Sequence, residues 1–439
     1  AHRIRVAGGA APAPLRSFDE LLERYSLPKE LVGCLERAGY SEPTPIQRQA
    51  IPALLEAHEL LAVAQTGSGK TLAYLLPAVA RLRLRPRAEA GVRCIVLAPT
   101  RELAAQIQRV LKPLLKAGLG QPLRAATLSK ANAAAGMDFF AALDLLIATP
   151  LRLGNLVKTE RISLAAVELL VMDEADKLFE LGFVEQIDAV VAACTHPRLE
   201  RALFSATLPE AVETLARSVM HAPLRVTIGE RNSAANTVKQ KLIFVGQESG
   251  RMLALRQMVE DGLQAPAMIF VRSKDRAKTL LKELRFERLK VGAIHADLSN
   301  AQRDKVVDQF REGSIWALIA TDLMGRGMDF LAVRTVINYD FPRSPTEYIH
   351  RIGRAGRAGR SGQAVTFFGE EDADGLRAIA NVMKASGCDV PAWMLTLKKG
   401  RKWRPRKREQ EQADKDEEGG SDEDGSDGGG SDGGGSDDE

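Results

Sequence analysis

Cysteine is scarce: Cys34, Cys94, Cys194 and Cys388 are scattered through 439 residues, with no close pair to clip a metal, and read as buried thiols of a reducing compartment. No apolar run approaches the length of about 20 residues that a helical membrane span needs, so a membrane partner is not expected. A cationic-then-apolar leader pattern is also missing. The chain opens at Ala1 without methionine, as a fragment does, and a targeting segment beyond it stays open. What is present is globular composition, with 45% hydrophobic and 27% charged residues, at a length that favours two or three domains. The net charge of +4 hides an asymmetry: Glu409 to Glu439 carries 14 acids and one lysine, which leaves +17 on residues 1–408. A basic body points to a polyanionic partner.

The apolar stretch Val167 to Met172 ends in Asp173-Glu174-Ala175-Asp176. A buried strand ending in three acids places them at a sheet rim, where open α/β sheets bind ligands, although acids at a rim also occur as a solvated turn. Upstream, Leu60 to Val63 reads as a strand leading into Ala64-Gln65-Thr66-Gly67-Ser68-Gly69-Lys70-Thr71 and then a helical pattern. This is the phosphate-loop pattern with Ala64 in place of its first glycine. Glycines admit backbone N–H groups to an anion, Lys70 adds a point charge, and the Thr71 hydroxyl suits Mg2+, with Asp173 holding that ion through water. Glu174 is then the group to deprotonate an attacking water. ATP and Mg2+ are the expected cofactors, with Lys70, Asp173 and Glu174 as catalytic residues.

The acid string resembles that of the DEAD-box family of RNA-dependent ATPases and helicases, and the resemblance runs from about Phe18 to Cys388. It implies two tandem RecA-like parallel-sheet domains, α/β in class: residues 18–228 and 240–397, with 229–239 as linker and 1–17 as a flexible lead-in of little burying capacity. It also implies that Phe18 lies over adenine and that Gln47, in Pro43-Thr44-Pro45-Ile46-Gln47, meets its N6 and N7 edge. Without the downstream phosphate loop, that turn and glutamine would be an ordinary helix start. RNA backbone contacts are implied for Pro99, Thr100 and Arg101 after the strand from Cys94, and for Thr149, Pro150 and Arg152 after the strand from Leu145. As bare residues, Arg101 and Arg152 read equally well as surface charges. Leu151 stands where the family has glycine, and Leu128 to Ala133 lacks the family's glycine pair; both departures bear on the local path of RNA. Ser205 and Thr207, with hydroxyls suited to bridge to Asp176, are expected to couple nucleotide state to lobe closure.

In the second half, strands are expected at Met268 to Val271, Gly292 to His295, Trp316 to Ala320, Thr335 to Tyr339 and Ala364 to Phe368. That half has no phosphate loop of its own, so it must act on the chemistry from outside. By resemblance, Asp329 is the ribose ligand, Asp322, Arg326, His350 and Arg351 join the coupling network, and Arg272, Arg303, Thr321 and Gly327 face RNA. His295, at a strand end with Gln302 and Arg303, resembles a further RNA-facing element, though a lone histidine there is more often structural. Arg351, Arg354 and Arg357 recur every third residue, which without an anion among them is a solvated basic face. Arg354 and Arg357 are read as arginine fingers for the γ-phosphate.

Lys398 to Arg408 places eight basic residues around Trp403, as an RNA-attracting or nuclear-import segment. Residues 409–439, with Gly-Gly-Ser-Asp repeats, carry too little apolar surface for a core and are expected disordered. Lys177-Leu178-Phe179-Glu180, the long interval from Phe18 to Gly39, Arg231-Asn232-Ser233 and His2-Arg3-Ile4 resemble the Rok-type branch, nucleolar helicases of small-subunit ribosomal RNA maturation. The function implied is an ATP-dependent RNA helicase remodelling pre-rRNA as a monomer with protein cofactors, in the nucleolus or nucleus, with the cytoplasm left open. Rival readings are an ATP-gated RNA clamp, a GTPase-like switch, against which Phe18 and Gln47 speak, and a DNA translocase.

Overall fold

Short runs of Leu, Ile and Val bounded by polar turns build two sheets. The structure, a computed structural model, describes residues 4–85, 90–116, 122–229, 238–322, 333–356 and 361–397. The first sheet uses β1 (Ile4–Ala7), β2 (Leu60–Val63), β3 (Cys94–Leu97), β4 (Ala125–Thr127), β5 (Leu145–Ala148), β6 (Leu169–Met172), β7 (Glu200–Ser205) and β8 (Leu224–Ile228). Their order is β1-β8-β2-β7-β6-β3-β5-β4, parallel throughout except for antiparallel β1. The second sheet uses β9 (Val238–Gly246), β10 (Ala267–Val271), β11 (Val291–Ile294), β12 (Ala317–Thr321), β13 (Thr335–Asn338) and β14 (Gly362–Gly369). It is all parallel in the order β11-β12-β10-β13-β14-β9. Both sheets lie within one unit of the chain.

Helices cover both faces, so the central strands are apolar on both sides and read as continuous runs rather than alternating ones. Along β2, Leu60 and Ala62 enter one core while Leu61 and Val63 enter the other, and β3 and β6 divide in the same way. In β10, Met268 and Phe270 face one core, and Ala267, Ile269 and Val271 the opposite one. Parallel strands send all their carboxyl ends to one rim. Ala64, Asp173, Ser205 and Thr149 therefore meet on the first lobe, and Arg272, His295, Asp322 and Asp340 on the second. No helix among the described residues is long and apolar enough to cross a membrane.

Two boundaries differ from expectation. Residues 4–17 do bury surface: β1 pairs with β8, and Leu15 is buried in the first core with its N–H bonded to the Arg48 carbonyl. An isolated leucine among prolines and alanines carries no periodicity, so only its tertiary partners reveal it. Strand β9 begins at Val238, inside the stretch expected to be linker; residues 230–237 and the tail from Lys398 lie outside the described residues.

Candidate functional site

The phosphate loop is fixed from two sides. The Ala64 N–H donates to the Ser205 carbonyl at 3.0 Å, and Gly67 and Gly69 adopt φ of 81° and 93°, a region open to glycine at little cost. A Cβ on Gly69 would fall 2.4 Å from Gln47 Nε2. That close approach exists because Gln47 Nε2 donates to the Gly69 carbonyl (3.0 Å), while Thr44 Oγ1 donates to the Ser68 carbonyl (2.7 Å). Gln47 Oε1 in turn accepts the Thr44 N–H at 3.0 Å, capping the helix Pro45–Leu55. The side-chain amide, expected to face adenine, thus uses one donor and one acceptor inside the protein and retains one of each. Phe18, expected over the adenine ring, is packed in the first core. Lys70 Nζ donates to the carbonyls of Ala64 (2.5 Å) and Gln65 (3.2 Å), acceptors that phosphate oxygens can replace.

Asp173, Glu174 and Asp176 are all buried at the end of β6. Asp173 Oδ2 accepts from the Tyr74 hydroxyl at 2.7 Å, and Tyr74 follows Thr71 by three residues in the helix Lys70–Leu84. Tyr74 therefore holds one of the two groups read as Mg2+ partners and shares a helical face with the other, and sequence reasoning missed it; its signal was that spacing from Thr71. Burial and the neighbouring Glu174 push the Asp173 carboxyl up to about 6, against the pull of Lys70. Among the described residues no group of three or more His, Cys, Asp or Glu can hold a metal. One carboxylate beside one threonine fits an Mg2+ that draws its other ligands from water and phosphate.

Glu174 adopts φ 49°, ψ 51°, a left-handed conformation unusual for a side chain with a Cβ, and its Oε2 accepts from Lys177 Nζ at 2.7 Å. Burial alone would raise its pKa, but Lys177, Arg354 and His350 outweigh it and bring the carboxyl down to about 2. Asp176 Oδ2 accepts from the Thr207 N–H (2.9 Å), the Thr207 hydroxyl (2.7 Å) and His350 Nε2 (3.1 Å), while its own N–H donates to Ser205 Oγ at 3.3 Å. Burial opposes its ionisation, yet these partners hold it well below the usual carboxylate range. Burial and Lys177 lower His350 to about 4, so the imidazole is neutral and donates from Nε2.

His350 belongs to the second lobe, on the helix Pro345–Ile352, so its bond to Asp176 crosses the seam. A Cβ on Gly353 would lie 3.7 Å from Thr66 Cβ, which places the turn after that helix against the phosphate loop. There Arg354 is buried, donates from Nε to the His350 carbonyl at 3.2 Å, and acts electrostatically on both Glu174 and Lys70. Arg351, expected in the seam, instead stays within its own lobe. It pairs with Asp322 through two bonds of 2.6 and 2.7 Å, bonds Glu347 and the Asp340 carbonyl, and lies over the Phe270 ring. Arg303, expected on RNA, crosses the seam to Glu102 at 3.3 Å and donates to the Ala296 carbonyl.

On the first lobe, Arg101, Thr149 and Arg152 converge with Thr127 to Ala131 on a cleft of about 360 Å3. Arg152 is aimed by its bond to the Leu128 carbonyl (3.0 Å), and Leu151 beside it is 52% exposed. Thr100 is buried and its hydroxyl caps the helix Arg101–Leu115, and Pro99 and Pro150 are buried as well. Arg272 is exposed at the end of β10, and Thr321 is half-buried at the end of β12. Arg326, Gly327, Asp329 and Arg357 lie outside the described residues.

The DEAD/DEAH box helicase family matches residues 44–215, and the helicase conserved C-terminal domain matches residues 250–359. DEAD-box ATP-dependent RNA helicase 57 of Oryza sativa is 52% identical over 396 residues, covering 90% of this chain and 72% of the relative. The ATP-dependent RNA helicase ROK1 of Eremothecium gossypii is 44% identical over 405 residues, covering 91% of this chain and 71% of its own. Among solved structures, S. cerevisiae Dbp5 bound to RNA and ADP BeF3 superposes with a TM-score of 0.74 at 29% identity, over 86% of this chain and 95% of that one. With two RecA-like sheets and the acid rim already in place, the chain belongs to the DEAD-box family of ATP-dependent RNA helicases, in its Rok-type branch.

Proposed function

We propose that the protein is an RNA-stimulated ATPase that closes its two lobes on ATP and one RNA strand and so unwinds or remodels structured RNA. The observation that carries this reading is the seam itself: His350 and Arg354 of the second lobe stand against Asp176, Glu174 and Lys70 of the first. In this reading the loop from Ala64 to Thr71 and Lys70 hold the phosphates, and Asp173 with Thr71 holds Mg2+, which would neutralise phosphate charge. Glu174 accepts a proton from the attacking water, and Arg354, together with Arg357, offsets charge on the terminal phosphate. Gln47 and Phe18 bound the adenine, and Asp329 takes the ribose. Thr207, Ser205, Asp176 and His350 report nucleotide state across the seam.

Arg101, Thr149 and Arg152 line the RNA cleft, and Pro99, Thr100, Arg272, Arg303, Thr321 and Gly327 extend or support that path. Contacts of this kind are made to backbone, so affinity falls steeply with salt and depends little on base sequence. The likeness to ROK1 proteins supports ribosome biogenesis as the setting, and within it we read the substrate as small-subunit pre-rRNA, the place of action as the nucleolus, and the chain as a monomer that works with protein cofactors. Glu174→Gln tests the core of the reading. ATP and RNA binding persist and turnover is lost by about 10²- to 10⁴-fold, the span for a general base; parent-rate hydrolysis by this variant removes Glu174 as the base. A strand-displacement assay on a short RNA duplex separates an unwinding enzyme from an ATP-gated clamp.

A further inference from the structure

Residue 177 directly follows the acid string, and nothing in the chemistry above uses it. Its side chain is only 1% exposed, and Nζ donates to Glu174 Oε2 at 2.7 Å. Backbone geometry builds this contact. Glu174 caps the helix Ala175–Glu180 in a left-handed conformation, and the Lys177 N–H bonds the Glu174 carbonyl at 2.8 Å. Helical side chains lean toward the N-terminus of their helix, so a long chain three positions on reaches back to the capping residue. A buried ammonium that loses its carboxylate is heavily penalised, which keeps the two groups together. The other carboxylate oxygen, Glu174 Oε1, makes no hydrogen bond among the described residues.

We propose that Lys177 is a positioning residue that holds Oε2 and so makes Oε1 the atom that receives the proton of the attacking water. The inference rests on the reading of Glu174 as the base. In the step it serves, the water gives its proton to Oε1 and its oxygen bonds the terminal phosphorus. The bond from that phosphorus to the bridging oxygen breaks, and its electron pair leaves on ADP. A carboxylate anchored at one oxygen presents the other in a fixed direction, and small misplacements of reacting groups are costly.

The test is steady-state ATPase at saturating RNA for Lys177→Met and Lys177→Arg, with fluorescent-nucleotide affinity and thermal melting alongside. Lys177→Met is expected to lower kcat about 10²-fold, the scale of a misplacement of about 1 Å, with KM and nucleotide affinity unchanged. Lys177→Arg, which keeps a charged donor, recovers part of the rate. In a Glu174→Gln background, Lys177→Met lowers the rate no further, because both act through one carboxylate. Parent kcat in Lys177→Met, equal losses in kcat and affinity, or effects that multiply across the two sites would each overturn the proposal. If Lys177→Met melts below the assay temperature, Lys177→Gln carries the same comparison. Parent turnover in Glu174→Gln removes the base assignment itself; a dead Glu174→Gln beside a fully active Lys177→Met removes only the role of Lys177.

Discussion

Tyr74→Phe removes one hydroxyl and leaves the ring in the core, yet a pH-dependent loss of Mg2+ binding is expected. The phenol donates to Asp173 Oδ2 at 2.7 Å and favours the ionised carboxylate, whose pKa stands at about 6. A hydrogen bond to a charged group contributes about 1.5–3 kcal/mol, equivalent to about one to two pKa units at 1.36 kcal/mol each. Without the donor, Asp173 titrates at about 7 to 8. A metal binds the deprotonated carboxylate, so apparent affinity follows the ionised fraction. At pH 6 that fraction falls from about one half to about one tenth or one hundredth, a loss of about five- to fiftyfold, whereas at pH 8 the loss is about twofold or less. Mg2+ titration of fluorescent ADP bound to parent and variant, at both pH values, reads this directly. A defect of equal size at pH 6 and pH 8, or none at pH 6, would refute the reasoning.

Gly69→Ala forces a Cβ to within 2.4 Å of Gln47 Nε2 at φ 93°, so a strain of about 1–3 kcal/mol and at least a tenfold loss of nucleotide affinity are expected, read by melting and by fluorescent-nucleotide titration. His350 is lowered to about 4 from an ordinary value near 6.5, so the unfolded chain takes up its proton first as pH falls. Its contribution is complete above about pH 6.5 and is lost between there and about 4, so across that window the parent should lose melting temperature more steeply than His350→Gln; parallel curves would contradict this. Arg351→Ala removes the buried guanidinium that bonds Asp322, Glu347 and the Asp340 carbonyl, and a loss of about 3–5 kcal/mol in denaturant unfolding is expected of the second lobe. Unchanged stability with lost ATPase would return Arg351 to the seam.

The central strands were legible because a parallel strand buried on both faces needs only a short apolar run, as in Leu60 to Val63 and Leu145 to Ala148. The edge strands β1 and β9 were not. Along β1 and β9, half-buried and exposed positions mix, so Ile4-Arg5-Val6-Ala7 and Val238 to Gly246 carry no signal until a neighbour pairs with them. The site shows the same division. Groups on contiguous backbone, such as Gly69, Lys70, Asp173 and Glu174, stand at the strand ends where their spacing put them. His350 and Arg351 are consecutive and point to different sides of one helix, so only the packed neighbours send the first to Asp176 and the second to Asp322. Arg303 likewise has a partner that its place in the chain does not announce, Glu102 of the other lobe at 3.3 Å.

Counting charges at the rim explains why the second lobe is needed. Asp173, Glu174 and Asp176 bring three buried carboxyls, and the first lobe answers with two cations, Lys70 and Lys177. The imbalance falls on Asp173, which burial and Glu174 raise to about 6, while Glu174 and Asp176 are held low by Lys177 and by the second lobe's side chains. His350 adds a donor without charge, so among the described residues Arg354 supplies the third cation. A nucleotide triphosphate adds more negative charge than its Mg2+ removes, and in a desolvated rim that excess is costly unless a further cation arrives with closure. In the proposed reading, Arg354 beside the phosphate loop makes the closed arrangement the one in which the acids, the lysines and a bound nucleotide are tolerated together, and the electrostatic term that draws the lobes shut is also the one that stabilises charge on the terminal phosphate.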